Sequence, residues 1–138
     1  MDTPDFSLRP MAVDDVEDVM AVVNAANADQ VAREVVPQPP PYTAAQTEAI
    51  RRAHIRFVER DSPGAWVAVR EGSIMGMAEA IRRDDFWGLS MLFVRPEDQS
   101  RGVGRALLDA TLDSGPPGAR RASTIPRSRP GGWPLPCP

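Results

Sequence analysis

Gln99-Ser100-Arg101-Gly102-Val103-Gly104 decides how this chain is read. The apolar run Leu89 to Val94 leads into the stretch and a helical pattern, Arg105 to Leu112, leaves it, so it is a loop between a strand and a helix start. Glycines at 102 and 104 carry no Cβ, which lets a phosphate approach bare backbone N–H groups. The helix behind them points the positive end of its dipole at the same spot. Such a loop suits a diphosphate. A dinucleotide fingerprint is excluded, because Leu107 stands where a third small residue belongs and a proline-rich tail replaces the acidic ribose partner. A P-loop is excluded as well, since all 16 basic residues are arginine and Gly-Lys-Ser/Thr cannot occur.

The remaining pattern resembles the coenzyme A signature of the GNAT superfamily of N-acetyltransferases, Gln/Arg-x-x-Gly-x-Gly/Ala between a central strand and a helix. Gln99, Gly102 and Gly104 fill its defining positions. The resemblance extends outward through Leu92-Phe93-Val94-Arg95-Pro96 at the strand end and Gly104-Arg105-Ala106-Leu107-Leu108 at the helix opening. A lone Gly-x-Gly before a helix is ordinary turn chemistry; the flanking strand and helix give this one its meaning.

Composition bounds the rest. A chain of 138 residues that is 42% hydrophobic suits one domain with a real core. The net charge of −3, with no basic cluster before Arg120, Arg121, Arg127 and Arg129, argues against nucleic acid as a partner. No apolar run approaches the roughly 20 residues of a membrane span, and the acidic start Met1-Asp2-Thr3-Pro4-Asp5 is unlike a signal peptide. A cytoplasmic location away from membranes is expected. The single cysteine, Cys137, permits neither a disulfide framework nor a Cys/His metal site, so no metal is expected. Arginine without lysine, with abundant alanine and proline, reads as a GC-rich coding sequence and a bacterial source.

Along the chain, Phe6 to Arg9 reads as a short strand stopped by Pro10. A helix follows, with Val13, Val16, Val19, Met20, Val23 and Ala26 on one face and Asp14, Asp15, Glu17 and Asp18 loading its first turns. Val35 to Tyr42, with four prolines, is a stiff loop. Thr43-Ala44-Ala45-Gln46 is a capping box opening a second helix whose stripe is Ile50, Ala53, His54 and Phe57. Ala65 to Arg70 and Ile74 to Arg82 form a hairpin across Glu71-Gly72-Ser73. Asp84-Asp85 turns into a third strand, Phe86 to Val94, with apolar residues on both sides, Trp87, Leu89, Met91 and Phe93 against Leu92 and Val94, as a central strand covered on both faces shows. After the helix, Ala122 to Ile125 begins one more strand.

This order implies an α/β (α+β) fold: a GNAT-like mixed, mostly antiparallel sheet flanked by helices, with the family's C-terminal helix and last strands missing. Residues 1–126 form a partial acetyltransferase domain. Residues 127–138, with four prolines and two glycines, form a disordered tail, as a truncation or frameshift near Arg127 would leave.

The resemblance implies acetyl-CoA as co-substrate and a primary amine as acceptor. Backbone groups of Leu92, Phe93 and Val94 would pair with the pantetheine arm. Gln99, Ser100, Gly102, Val103 and Gly104 would surround the pyrophosphate, held by the amides of Arg101 to Arg105 and by the Arg101 and Arg105 guanidiniums. Surface solvation is the alternative for those arginine side chains. The reaction needs a base for the ammonium and a donor for the carbonyl oxygen. Glu79, mid-strand, is the base candidate, against the alternative of a solvated strand glutamate. His54 reads as a packed or half-exposed histidine. The family's reprotonating tyrosine lies on a helix beyond this sequence, and Tyr42, in the proline loop, does not replace it. Two further readings stand beside the enzyme: a non-catalytic remnant, and an interaction module that forms a homodimer over the uncovered strand edge.

Overall fold

The computed structural model describes residues 5–34, 37–83, 86–113 and 120–122. Five strands, β1 (Ser7–Pro10), β2 (Ala65–Arg70), β3 (Ser73–Arg83), β4 (Phe86–Val94) and β5 (Arg120–Ala122), form one sheet in sequence order. The first four pair antiparallel and β5 runs parallel to β4. Helices α1 (Val16–Glu34) and α2 (Ala44–Arg60) cover one face, where Val19, Val22 and Val58 pack on Val67 and Met77. Helix α3 (Val103–Asp113) covers the other, its Val103 and Leu107 packed on Ala68, Met75 and Ala78. The expected mixed sheet flanked by helices is the observed architecture.

Local chemistry accounts for most boundaries. The β2–β3 hairpin closes through Glu71 and Gly72, both left-handed at φ 50° and 80°, the pair of values a two-residue turn needs to follow the strand twist. Thr43 Oγ1 accepts from the Gln46 amide at 3.1 Å and Gln46 Oε1 accepts from the Thr43 amide at 2.9 Å, completing the capping box that opens α2. No helix among the described residues is long and apolar enough to cross a membrane.

Five expectations are corrected. Pro10 is the last residue of β1 rather than the first beyond it, because an edge strand can turn the missing N–H away from the ladder. Val13 is exposed, since a 3₁₀ turn over Val13–Asp15 precedes α1 and rotates it off the stripe that Val22 joins instead. Ala53 is likewise exposed, and Val58 takes the buried place on α2. Helix α3 starts at Val103, two residues early, because the Gly102 carbonyl already accepts from the Ala106 amide at 3.0 Å. The alternation along β4 breaks at Ser90: Glu79 pairs with Met91 but Ala80 pairs with Leu89, leaving Ser90 as the extra residue of a bulge. Trp87, Leu89, Leu92 and Val94 therefore face α3, while Met91 and Phe93 face α1 and α2.

Strand β5 is described at Arg120–Ala122; the remainder of the expected 122–125 strand, the boundary at 126 and the tail 127–138 lie outside the described residues.

Candidate functional site

Two clefts meet at the end of β4. Strand β5 pairs with β4 at Phe86, Trp87 and Gly88, and from Ser90 to Val94 the outer edge of β4 has no strand partner among the described residues. Apart from the Val94 carbonyl, which accepts from Gln99 Nε2, that edge offers backbone groups to something extended. Beside this edge lies the first cleft, of about 470 Å³, walled by Leu92, Phe93 and Val94, by Gln99, Ser100 and Gly104 of the loop, and across from them by Ala26, Asp29, Gln30 and Arg33 of α1.

The loop is held in shape by its own neighbours. Gln99 Nε2 donates to the Val94 carbonyl at 3.2 Å, and Arg95 Nε donates to the Ile74 carbonyl at 2.9 Å. Ser100 and Gly102 adopt left-handed φ of 67° and 83°, which turns the chain so that α3 opens directly onto the cleft. A Cβ on Gly104 would sit 3.5 Å from Leu92 Cδ2 and 3.7 Å from Val94 Cγ2, ordinary contact distances. Nothing in the fold itself excludes a side chain at Gly104, but one would intrude on the cleft.

Six of the sequence-predicted coenzyme residues thus converge: Leu92, Phe93, Val94, Gln99, Ser100 and Gly104. The other four stand behind that wall. Val103 turns its side chain into the core, Gly102 supplies the turn, and Arg101 and Arg105 are exposed.

The second cleft, of about 240 Å³, lies between α1, α2 and β4 and shares Phe93 with the first. Among its polar lining residues is His54, whose Nδ1 stands 2.6 Å from Glu79 Oε1. Both residues are buried, at 3% and 2% exposure, so Glu79 is not a solvated strand glutamate. Glu79 points to the α1/α2 face beside Met77, next to the bulge, and lines neither cleft. His54 does line the second, together with Tyr42 and Thr47.

The sequence profile of the Acetyltransferase (GNAT) family matches residues 28–120. The chain belongs to the GNAT acetyltransferase family. Among solved structures it is similar to the PaiA N-acetyltransferase of Thermoplasma acidophilum in complex with coenzyme A (TM-score 0.62, 16% identity, 78% of this chain and 70% of that one). It is similar also to a GNAT family acetyltransferase of Brucella melitensis in complex with acetyl-CoA (TM-score 0.54, 19% identity, 78% and 66%). A GCN5-related N-acetyltransferase of Kribbella flavida matches too (TM-score 0.61, 21% identity), with 78% of this chain covering 26% of that protein. These likenesses concern the fold, and this GNAT chain spans only part of each protein's length. No match was found among curated proteins.

Reading the sequence alone missed the partnership of His54 and Glu79. The signal was present but weak: His54 sits in the stripe of α2 that faces the sheet, and Glu79 lies two residues from Met77 on the strand face that receives it.

Proposed function

We propose that the protein is an acetyl-CoA-dependent N-acetyltransferase that moves the acetyl group to a primary amine. The observation that carries this reading is the outer edge of β4 from Ser90 to Val94, without a strand partner among the described residues and lying beside a cleft that the glycine loop walls. An extended pantetheine arm would pair with Leu92, Phe93 and Val94 as an added strand. The amides of Arg101 to Arg105, at the start of α3, would hold the pyrophosphate, with Gln99 and Ser100 at its side and the exposed Arg101 and Arg105 guanidiniums available to coenzyme phosphates. The empty space at Gly104 fits this role, because the protein's own packing does not require it. The coenzyme would supply an activated thioester, and the chain the cradle that holds it. The coenzyme complexes of the Thermoplasma and Brucella proteins support the choice of ligand.

Calorimetric titration of the full chain with acetyl-CoA, and with desulfo-coenzyme A as a probe of the phosphate cradle alone, tests the reading. Micromolar binding of both is expected. A folded monomer that binds neither is a non-catalytic remnant, and a discrete dimer that binds neither is an interaction module.

A further inference from the structure

Acetylation requires the amine nitrogen to present a lone pair, so some group must take its surplus proton. Glu79 cannot meet the amine directly: it is 2% exposed and forms no part of either cleft wall. His54 bridges that gap. Its Nδ1 stands 2.6 Å from Glu79 Oε1; with Glu79 as a carboxylate, which only accepts, Nδ1 would be the donor and the neutral ring would keep its lone pair at Nε2. Among the described residues no fully buried side-chain nitrogen or oxygen lacks a hydrogen-bond partner. His54 lines the cleft, and Nε2 is the ring nitrogen that the bond to Glu79 leaves available to it.

The rest of that cleft defines what would reach Nε2. Its apolar wall is Met20, Val23, Ile50, Met91 and Phe93, and its remaining lining residues are Asn24, Asn27, Tyr42, Thr47 and His54, with no aspartate, glutamate or arginine among them. An acceptor carboxylate or a second ammonium would be desolvated there without a counter-charge. Phe93, common to both clefts, places this space next to the end of β4 where the thioester would lie.

We propose that the second cleft takes a small amine with an uncharged apolar body, that His54 Nε2 is its base, and that Glu79 is a positioning residue acting through His54. This rests on the acetyl-transfer reading for the direction of the chemistry. The amine lone pair forms the N–C bond to the acetyl carbon while the C–S bond breaks and its electron pair leaves with sulfur. The amine proton passes to Nε2, and Glu79 stabilises the resulting imidazolium through Nδ1–H, as the acid of a hydrolase triad does. That surplus ammonium proton goes on to solvent, and the second proton, shed by nitrogen once the N–C bond has formed, passes by way of Nε2 and solvent to the leaving thiolate.

His54 is the only histidine in the chain, so the imidazole ¹⁵N and ¹H resonances of the labelled full-length protein are its own without assignment. Titration with 2-phenylethylamine, without coenzyme, is expected to move the Nε2 resonance to saturation. Phenylalanine and putrescine should bind at least about 10-fold more weakly, each carrying a charge the cleft leaves unpaired. An Nε2 signal that ignores 2-phenylethylamine, or that answers all three equally, overturns the inference. With acetyl-CoA present, His54→Gln is expected to lower kcat by about 10²- to 10⁴-fold with little change in KM. Glu79→Gln should lower kcat less and shift the ring tautomer seen in the ¹⁵N spectrum; an unaltered tautomer with unaltered kcat removes its positioning role. The wild-type titration stands even if either variant fails to fold. A responsive ring without acetyl transfer overturns the acetyl-transfer reading and leaves the amine cleft. Acetyl transfer past an unresponsive ring overturns the amine cleft and leaves the reading.

Discussion

Asp98 Oδ1 accepts a hydrogen bond from Arg70 Nη2 at 2.9 Å, tying the end of β2 to the turn that immediately precedes the glycine loop. Asp98 is 3% exposed and Arg70 30%, so one end of the pair is committed to the interior and the other is partly hydrated. Asp98→Ala is expected to destabilise the fold by about 1–3 kcal/mol, below the loss from a fully buried pair because the freed guanidinium regains water. Asp98 does not line the first cleft, yet acetyl-CoA affinity should fall with it, since Gln99 and Ser100 lose their anchor. Urea unfolding and coenzyme titration of the variant check both; an unchanged midpoint contradicts the anchoring role.

Gly102 and Gly104 are glycines for different reasons, and substitution separates them. Gly102 has φ +83° with no heavy atom within 4 Å of a built Cβ, so Gly102→Ala meets backbone strain alone, of about 1–2 kcal/mol. Gly104→Ala meets ordinary contacts with Leu92 and Val94 and gains helix propensity, so stability should hold or rise by up to about 1 kcal/mol. Its cost should fall on the coenzyme, and Gly104→Glu, which adds a carboxylate facing the diphosphate, should abolish binding. Thermal melts paired with acetyl-CoA titrations decide the matter. Full affinity in Gly104→Glu removes the cradle from this loop.

Asp15 takes the guanidinium of Arg9 through bonds of 2.6 and 2.8 Å and the Ala12 amide at 2.8 Å. The Arg9 hydrogen bond, chiefly, holds its carboxyl below the usual carboxylate range. Because the folded state lowers this pKa, the stabilisation is complete above the unfolded carboxylate range and is lost as pH falls through the folded value. Asp15→Asn should therefore cost about 1 kcal/mol near neutral pH, modest because Arg9 stays half in water, and nearly nothing in strong acid. Chemical denaturation at pH 7 and pH 3 tests it. An equal deficit at both pH values would falsify the electrostatic account.

How far the sequence revealed this molecule depends on the range of each signal. The strand, glycine loop and helix around Gln99 were legible because their cues are local: φ-permissive glycines, a proline at the strand end and an apolar run. The Thr43 capping box was legible for the same reason, spanning three residues. The Ser90 bulge was not, since only the pairing of Glu79 with Met91 and Ala80 with Leu89, across two strands, creates it. His54 and Glu79 were both visible as residues, but their bond joins α2 to β3 over 25 positions, and no local pattern announces it. Arg101 lies in the loop and Arg105 in the first turn of α3; their exposure, unlike the inward turn of Val103, follows from how α3 lies on the sheet.

Phe93 offers the sharpest test of two clefts working as one site. It is half-buried against the α1/α2 core and is the residue common to both walls. Phe93→Ala removes a ring from each space at once, and because the ring is not fully buried the loss of stability should stay near 1–2 kcal/mol, below a full core truncation. Gln30→Ala touches only the first cleft and Thr47→Ala only the second, both at small structural cost. The expected pattern is that Gln30→Ala weakens acetyl-CoA alone, Thr47→Ala raises the KM of the amine alone, and Phe93→Ala does both. In the double variant Gln30→Ala/Thr47→Ala the two effects should simply add, as distant sites without a shared partner do. If Phe93→Ala instead spared either ligand, the clefts would be separate pockets that happen to abut, and a thioester at the end of β4 would not face the ring of His54.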